Sequence, residues 1–371
     1  MVQYTLDGRP VARVPSTRYL GSKRRILDWM WSYISKLPFD TFLDGFSGTG
    51  VVGLKVKTHG KRVFANDILK FNYYVALAII ENKNRILTER EVELILTRHR
   101  DVDYPTFIQD TFKDIYYTDE ENAWLDMVIT NIEALIEDKY KKALAFTALG
   151  QACLVKRPYN LFHRKNLYMR LANVKRSFGN KRTWDTPFEV HFRRFVKEYN
   201  EAVFDNGRDN KAFNEDILKL QFPKMKEIEL VYMDPPYLPQ RGDKPDYHLF
   251  YHFLEGVVNY REWSKMIDPT SSIKVIKYKP SPWTSKSTVY KAFNELFRKL
   301  RDNKYLVLSY NTEGIPTPRE LYDMLRRYKD HVVVFKKKHK YALSKNTLDE
   351  LLFIAMDENP RKYGLVSEYN P

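Results

Sequence analysis

The sequence predicts an α/β protein whose sheet is mixed but mostly parallel and is interrupted by a long helical insertion. Residues 42–68 contain a short strand, a glycine-rich turn, a helix start and a second strand, which together form a β-α-β unit. Strand-like runs then stop near residue 73. They return at 228–234, 272–278, 305–310, 331–335 and 351–355, of which the last two are close enough to pair antiparallel.

The segments between these strands are predicted to be helical. Apolar residues at three-to-four spacing predict a helix over 23–37 that packs on the sheet, and similar spacing recurs within 121–150. We therefore expect a discontinuous α/β domain, residues 1–75 and 205–371, around a helical insertion at 76–204.

Charge and composition narrow the class of protein. The 62 basic and 47 acidic residues give a net charge of +15, which makes a polyanion such as nucleic acid the first candidate partner. Cys153 is the only cysteine, which excludes an intrachain disulfide framework and a zinc site built on paired thiolates. Neither a secretory signal nor a run of about 18 apolar residues occurs, so we expect a cytoplasmic protein that spans no membrane.

The stretch FLDGFSGTG at 42–50 predicts a nucleoside-binding turn between a strand and a helix. Glycines let a ligand approach the backbone, and Asp67 follows Asp44 by 23 residues, near the spacing of an acid that binds a ribose. The spacing G-x-x-G-x-G differs from the dinucleotide fingerprint, which disfavours a nicotinamide or flavin cofactor. Taken alone, the glycines also fit a simple tight turn, and Asp67 fits a turn acid.

The stretch VYMDPPY at 231–237 predicts an acid and an aromatic ring at the carboxyl end of a strand, where ligands bind in α/β sheets. The prolines cannot continue a strand ladder, so Asp234 and Tyr237 should line a site. Such a site suits methyl transfer to an exocyclic amine, whose lone pair is delocalised into its ring. Asp234 would accept one amine hydrogen, the Pro235 carbonyl would accept the other, and Tyr237 would stack on the base.

Five motifs in this order resemble the Dam-like DNA N6-adenine methyltransferases of the α type. They are RYLGSK (18–23), FLDGFSGTG (42–50), FANDI (64–68), NEDI (214–217) and DPPY (234–237). The resemblance covers about 17–75 and 210–356. It implies a Rossmann-like methyltransferase domain that uses S-adenosylmethionine, with the insertion as its target-recognition region.

The resemblance also implies roles for single positions. The catalytic motif is Asp234, Pro235, Pro236 and Tyr237, and the implied cofactor-binding residues are Tyr19, Lys23, Asp44, Phe46, Gly48, Gly50, Asp67 and Asp216. Asp67 would bind the ribose hydroxyls, and Asp216 would lie near the adenine amine unless it is an ordinary surface acid. Asp44 would meet the methionine amine, and Phe46 would border the adenosine or the sulfonium. Tyr19 and Lys23 would border the cofactor or the target base.

The DNA-binding region is predicted within the insertion, at about 155–200. Residues 156–197 hold 12 Lys or Arg against two acids, with aromatic residues interleaved, as expected where some side chains contact phosphates and others reach bases. The densest candidates for DNA contacts are Arg157, Arg164, Lys165 and Arg170. The alternative is a basic solvated face over an aromatic core. A second basic run, KKKHK at 336–340, is predicted in a hairpin loop.

These features predict a site-specific DNA adenine-N6 methyltransferase that acts on double-stranded DNA, as the modification half of a restriction system with a separately encoded endonuclease. Four alternatives stay open at this point. They are adenine methylation in RNA, cytosine N4 methylation, a catalytically silent DNA-binding subunit of the same fold, and protein glutamine methylation. The pair His248 and His252 lacks a completing carboxylate, so no metal site is expected.

Overall fold

A seven-stranded sheet forms the centre of the computed structural model, which describes residues 3–4, 10–172, 174, 181–221, 227–240, 245–340 and 347–371. Its strands are β1 Thr41–Asp44, β2 Arg62–Asn66, β3 Lys211–Phe213, β4 Leu230–Met233, β5 Tyr305–Asn311, β6 His331–Lys340 and β7 Thr347–Met356. Two short ribbons pair Gln3–Tyr4 with Pro10–Val11 and Leu238–Pro239 with Gly314–Ile315.

The strand order is β6-β7-β5-β4-β1-β2-β3, and all neighbours from β5 to β3 are parallel. Strand β7 is antiparallel to both of its neighbours. The predicted mixed, mostly parallel α/β fold is therefore confirmed, together with the antiparallel pair near its end. The winding direction reverses between β1 and β4, so a crevice opens at the carboxyl ends of these two strands.

Helices cover both faces of this sheet. The α-helices are α1 Leu27–Ile34, α2 Val51–Thr58, α3 Lys70–Ala76, α4 Glu89–Leu96, α5 Phe107–Thr111, α6 Asp119–Leu135, α7 Lys139–Val155, α8 Leu167–Leu171, α9 Lys181–Asp185, α10 Phe188–Asn200, α11 Tyr247–Val257, α12 Trp263–Met266, α13 Val289–Leu300 and α14 Pro318–Arg326. Short 3₁₀ turns include Lys23–Arg25, Pro158–Asn160 and Pro282–Thr284, and a π-turn spans Leu77–Glu81. Within the described ranges, no helix is both long and apolar enough to cross a membrane.

Two hydrophobic clusters lie on opposite faces of the sheet, because successive residues of a strand point to opposite sides. Phe42 of β1 belongs to the cluster that also contains residues of α1, α2, α3, α7, α10 and α11. Its neighbour Leu43 belongs to the cluster that contains residues of α13 and α14. Helix α7 is buried from Ala143 to Val155, and its apolar residues there belong to the first cluster. Since that cluster joins the helical segment to the sheet, the division of the chain into an α/β domain and an insertion stays a prediction.

Between β2 and β3 the described residues contain no strand, in line with the helical character predicted for this segment. Two other predictions are wrong. Residues 272–278 form no strand beyond one bridge of Ile276 to Ile267, and Lys274 has φ 59°, which no regular strand accommodates. The run KKKHK belongs to β6, where Lys336 pairs with Leu351, and not to a hairpin loop.

Candidate active site

A cleft of about 1020 Å³, including its open mouth, lies at the crevice between β1 and β4. Nine of the twelve residues predicted for catalysis or cofactor binding line it, namely Tyr19, Lys23, Asp44, Phe46, Gly48, Asp67, Asp216, Asp234 and Pro236. Gly50, Pro235 and Tyr237 are not part of this lining. The topology therefore brings the motif residues from distant parts of the sequence to one cavity.

The glycine-rich turn after β1 is shaped by residues that can adopt left-handed backbone angles. Gly48 has φ 49° and Gly50 has φ 68°, and Gly50 immediately precedes α2. Asp67, at the end of β2, fixes this turn because its Oδ2 accepts a hydrogen bond from the Gly48 amide at 2.8 Å. Its Oδ1 accepts from the Leu69 amide at 2.9 Å. Asp67 thus orders the backbone of the cleft and still has lone pairs to offer a hydroxyl.

Asp44 supplies the polar end of the cleft. Its Oδ2 accepts from the Gly53 amide at 3.2 Å, whereas its buried Oδ1 has no hydrogen-bond partner among the described residues. Burial, assisted by repulsion from Asp234, raises the pKa of Asp44 to about 8. A buried carboxylate oxygen without a partner is unfavourable, so this position fits a ligand that brings a cationic donor.

An aromatic wall closes the cleft near the predicted adenosine end. Phe46 packs edge-on against Trp283, with ring centroids 5.4 Å apart, and both residues line the cavity with Asp216. The Ser281 hydroxyl accepts from the Trp283 amide and so caps this turn. Sequence reasoning missed Trp283, and the available signal was the tryptophan between capping serines in SPWTS.

Tyr19 and Tyr247 form the wall on the other side. Tyr19 stacks on Tyr251 with centroids 4.1 Å apart, and its hydroxyl accepts from Asn72 at 2.9 Å. Tyr247 lies so close to Gly21 that a Cβ there would come within 2.7 Å of the Tyr247 hydroxyl. Helix α11 therefore packs tightly against the RYLGSK motif, and its first residues Tyr247 and His248 line the cleft, which the sequence did not predict.

Lys23 and Asp234 meet in a buried charged cluster at the carboxyl end of β4. The Lys23 Nζ lies 3.1 Å from Asp234 Oδ1 and 3.0 Å from Glu350 Oε1. Burial alone would lower the pKa of Lys23, but the two carboxylates outweigh burial and raise it. Burial and repulsion from Glu350, opposed by Lys23, raise the pKa of Asp234 to about 6. Asp234 is therefore mainly ionised at neutral pH.

Tyr237 is oriented by the same cluster. Its hydroxyl accepts from Lys23 Nζ at 2.8 Å and lies 2.7 Å from Asp234 Oδ1 and 3.0 Å from Glu350 Oε1, either of which can take its proton. Its ring packs edge-on against Tyr310, with centroids 5.0 Å apart. The stacking of this ring on a base stays a prediction, since Tyr237 is partly exposed but is not among the residues that line the cleft.

One oxygen of Asp234 remains available to a ligand. Lys23 and Tyr237 both contact Oδ1, and no described residue donates a hydrogen bond to Oδ2. The Asp234 side chain is 17% exposed and lines the cleft. Such a carboxylate is held in place on one side and can accept a hydrogen bond from a bound group on the other.

The structure corrects two of the four predicted DNA contacts. Arg157 is 1% exposed and donates to the carbonyls of Leu161 and Arg164, and Arg170 is 5% exposed and forms a two-point ion pair with Glu121. Both side chains are engaged inside the protein, so neither can reach a phosphate. Arg164 and Lys165 are exposed, as a DNA contact requires. The basic residues at 175–176 and the aromatic Phe178 of this region lie outside the described residues.

The two histidines considered as metal ligands have other neighbours. His252 is buried and lies 2.9 Å from the Tyr116 hydroxyl, while His248 stacks on Tyr278 with centroids 4.9 Å apart. In the described part of the chain, no group of three or more His, Cys, Asp or Glu side chains is arranged to hold a metal ion.

Comparison with known proteins identifies the family of this chain. The model of the D12 class N6 adenine-specific DNA methyltransferases matches residues 19–324. The type II methyltransferase M2.HphI of Haemophilus parahaemolyticus is 32% identical over 353 residues, which cover 92% of this chain and 98% of that protein. M.NlaIII of Neisseria lactamica is 26% identical over 88% of this chain and 93% of its own length, and M.FokI of Planomicrobium okeanokoites is 24% identical over 91% of this chain and 52% of its own. The chain therefore belongs to the D12 class of N6 adenine-specific DNA methyltransferases.

Proposed function

We propose that this enzyme transfers a methyl group from S-adenosylmethionine to N6 of an adenine rotated out of duplex DNA, with Asp234 accepting a hydrogen bond from the amine. The observation that carries the proposal is the anchored carboxylate of Asp234, which presents Oδ2 to a cleft at the topological switch point. Family membership does not favour an RNA substrate, cytosine, a protein amide or a silent subunit.

The cleft residues suit each part of the cofactor. Asp44 would pair with the methionine ammonium through its unpartnered Oδ1, and Asp67 would accept from the ribose hydroxyls. Phe46 and Trp283 would pack against the adenine ring, with Asp216 near its amine. The turn at Gly48 and Gly50 would let these contacts form close to the backbone. When bound, the cofactor supplies an electrophilic methyl group on a sulfonium.

The catalytic residues would raise the reactivity of a poor nucleophile. The N6 lone pair is delocalised into the purine ring, and hydrogen bonds from the amine to Asp234 Oδ2 and the Pro235 carbonyl would favour a more tetrahedral nitrogen. Asp234 must be ionised for this role, and its pKa of about 6 leaves it so at pH 7 to 8. Lys23 holds the carboxylate in place through Oδ1 and does not compete for Oδ2.

The DNA-binding surface is proposed to include the turn at residues 158–165, whose backbone carbonyls at Leu161 and Arg164 accept hydrogen bonds from Arg157. This turn carries the exposed cations Arg164 and Lys165, and Tyr159 within it is 43% exposed with φ 61°, a strained angle for a large residue. The Phe162 amide donates to the Phe250 carbonyl of α11 at 3.0 Å. Because α11 also lines the cleft, this bond fixes the exposed cations relative to the catalytic mouth.

The biological role is proposed to be modification in a type II restriction system. The names of the relatives M2.HphI and M.NlaIII as type II methyltransferases support this role. It implies a cognate endonuclease with the same recognition sequence and double-stranded DNA as substrate, and we propose that the enzyme works in the cytoplasm.

The test of the catalytic proposal is Asp234→Ala. Methylation should fall by a factor on the order of 10³ because the amine loses its aligned acceptor, while S-adenosylmethionine should still bind with nearly unchanged affinity. Incorporation of tritiated methyl groups into unmethylated DNA measures the first quantity and calorimetric titration the second. Mass analysis of the digested product should show N6-methyladenine, and competing RNA should leave the rate unchanged. Full activity of the variant would refute the role of Asp234.

A further inference from the structure

We infer that Glu350, on the last strand of the sheet, is a positioning residue for methyl transfer, because it holds Lys23 and the Tyr237 hydroxyl against Oδ1 of Asp234 and so leaves Oδ2 for the target amine. The inference rests on the proposed role of Asp234. Glu350 lies in none of the motifs that predicted the site, and it follows Asp234 by 116 residues.

Two donors and the Tyr237 hydroxyl, whose single proton Glu350 shares with Asp234, converge on one oxygen of Glu350. Its Oε1 accepts from Lys23 Nζ at 3.0 Å and from the Ser309 hydroxyl at 2.8 Å, and it lies 3.0 Å from the Tyr237 hydroxyl. The Glu350 side chain is fully buried on β7, opposite Asn311 of β5. A buried carboxylate is unfavourable unless such partners compensate its lost hydration. Its contacts therefore tie β7 to both residues that touch Asp234.

The balance of charge indicates a purpose beyond fold stability. One ammonium group, Lys23, faces two carboxylates, Glu350 and Asp234, whereas an ion pair that only stabilised the fold would need one. Glu350 is fully buried and does not line the cleft, whereas Asp234 lines it. Glu350 thus fixes the Lys23 ammonium on the side away from the cleft, and Lys23 in turn holds the Asp234 carboxylate at the cleft wall.

The charged and titratable groups around Asp234 come from every element packed against it. They are Lys23 before α1, Asp44 of β1, Tyr232 of β4, Tyr237 after β4, Tyr247 of α11 and Glu350 of β7. Among them Glu350 is the acid that repels the ionised form of Asp234, and Lys23 attracts it. Removing the Glu350 charge should therefore make Asp234 easier to ionise.

The test is Glu350→Gln, which keeps the size of the side chain and removes its charge. We expect kcat for DNA methylation to fall on the order of 100-fold, since Lys23 and Tyr237 lose their anchor. The acid limb of the kcat–pH profile should move to lower pH, because Asp234 then faces Lys23 without a competing carboxylate. Calorimetric affinity for S-adenosylmethionine should change less than about twofold, because Glu350 does not line the cleft.

A matched control is Ser309→Ala, which removes a neutral donor to the same Glu350 oxygen and keeps the charge. Its acid limb should stay in place. If Glu350→Gln fails to give a cooperative unfolding transition, Tyr237→Phe provides a second test. That variant removes a hydrogen bond to Asp234, so its acid limb should move to higher pH, opposite to the shift expected for Glu350→Gln.

The outcomes separate this inference from the catalytic proposal. A Glu350→Gln enzyme whose acid limb does not move overturns the positioning role, whether its kcat is normal or reduced, provided that Asp234→Ala is inactive. If Glu350→Gln does not fold, an unshifted limb for Tyr237→Phe overturns it in the same way. An active Asp234→Ala enzyme overturns the proposed function itself.

Discussion

Two clusters of buried charge in this enzyme have similar chemistry and different uses. At the cleft, Lys23 lies between Asp234 and Glu350, and one carboxylate oxygen faces the cavity. In the helical segment, Glu121 accepts from Arg170 and pairs with Lys156 at 2.8 Å.

The donors of the helical cluster are directed into the protein. Lys156 uses its three protons on Glu121 and on the carbonyls of Trp184 and Thr186, at 2.7 and 2.6 Å. Burial disfavours ionisation of Glu121, yet its two cationic partners outweigh burial and lower its pKa. Burial of charge thus does not by itself mark a functional site. The distinguishing feature is a polar atom left without a protein partner at the wall of a cavity.

The largest effect that tests this comparison is expected from Glu121→Ala. The change leaves Lys156 and Arg170 buried without their carboxylate, which should lower the free energy of unfolding by about 3–5 kcal/mol. Urea denaturation measures this loss. The neighbouring Glu120→Ala, at an exposed position of the same helical turn, is the control and should change it by less than about 0.5 kcal/mol. Equal effects of the two variants would mean that the helical cluster contributes little to stability.

Removal of an acidic charge from the cluster at the cleft should have the opposite effect and raise the free energy of unfolding. Asp234 has a pKa of about 6 in the folded protein against 3.8 as its ordinary value, so folding favours the protonated form. The contribution of Asp234 to the free energy of unfolding is therefore full below about pH 4 and is lost as the pH rises through 6. Asp234→Asn, which stays neutral, should therefore be more stable than the parent at pH 7.5 by about 1–3 kcal/mol, and the two should converge near pH 4.

Urea denaturation at pH 4 and 7.5 measures this difference. The parent enzyme should also lose kcat about tenfold for each pH unit below 6, as the required carboxylate becomes protonated. A variant that is less stable than the parent at pH 7.5 would mean that the Asp234 charge serves the fold, as in the helical cluster.

The part of the site that sequence could predict is the part carried by local motifs. Asp44, Gly48, Asp67 and Asp234 lie at or just after strand ends, and a parallel sheet brings such positions together at one edge. Glu350 had no such signal, because its place beside Lys23 depends on how β7 inserts between β5 and β6.

Trp283, Tyr247 and His248 were missed for a related reason. They reach the cleft from turns and a helix start, whose orientation is set by packing and not by a repeating pattern. Likewise, a strand was predicted over 272–278 because the alternation of apolar residues there resembles β structure. The left-handed backbone angle of Lys274 prevents a regular strand from forming there.

Charge surplus predicted a region and not its individual contacts. The excess of basic residues in 156–197 says nothing about which side chains turn inward, and Arg157 and Arg170 turn inward to satisfy backbone carbonyls and Glu121. A helical segment with a polar interior needs such donors. The residues left for DNA are those that the fold keeps exposed.

The smallest of these effects is expected from the exposed pair, in the double variant Arg164→Ala and Lys165→Ala. Neither side chain is buried, so the free energy of unfolding should change by less than about 0.5 kcal/mol per site. Loss of two phosphate contacts should weaken binding to duplex DNA about tenfold and reduce the slope of log affinity against log salt by up to about 2. Fluorescence anisotropy over a range of salt concentrations measures both quantities.

The matched control is Lys291→Ala with Arg298→Ala. These residues are exposed on α13, which packs on the opposite face of the sheet from the helical segment. This variant loses the same net charge, so any general electrostatic attraction should fall equally in both. A larger loss of affinity for duplex DNA in the Arg164 and Lys165 variant than in this control therefore indicates direct contact with the DNA. If the two variants keep the same salt slope, the DNA does not lie against the turn that Arg157 supports, and the interface has to be sought elsewhere around the cleft.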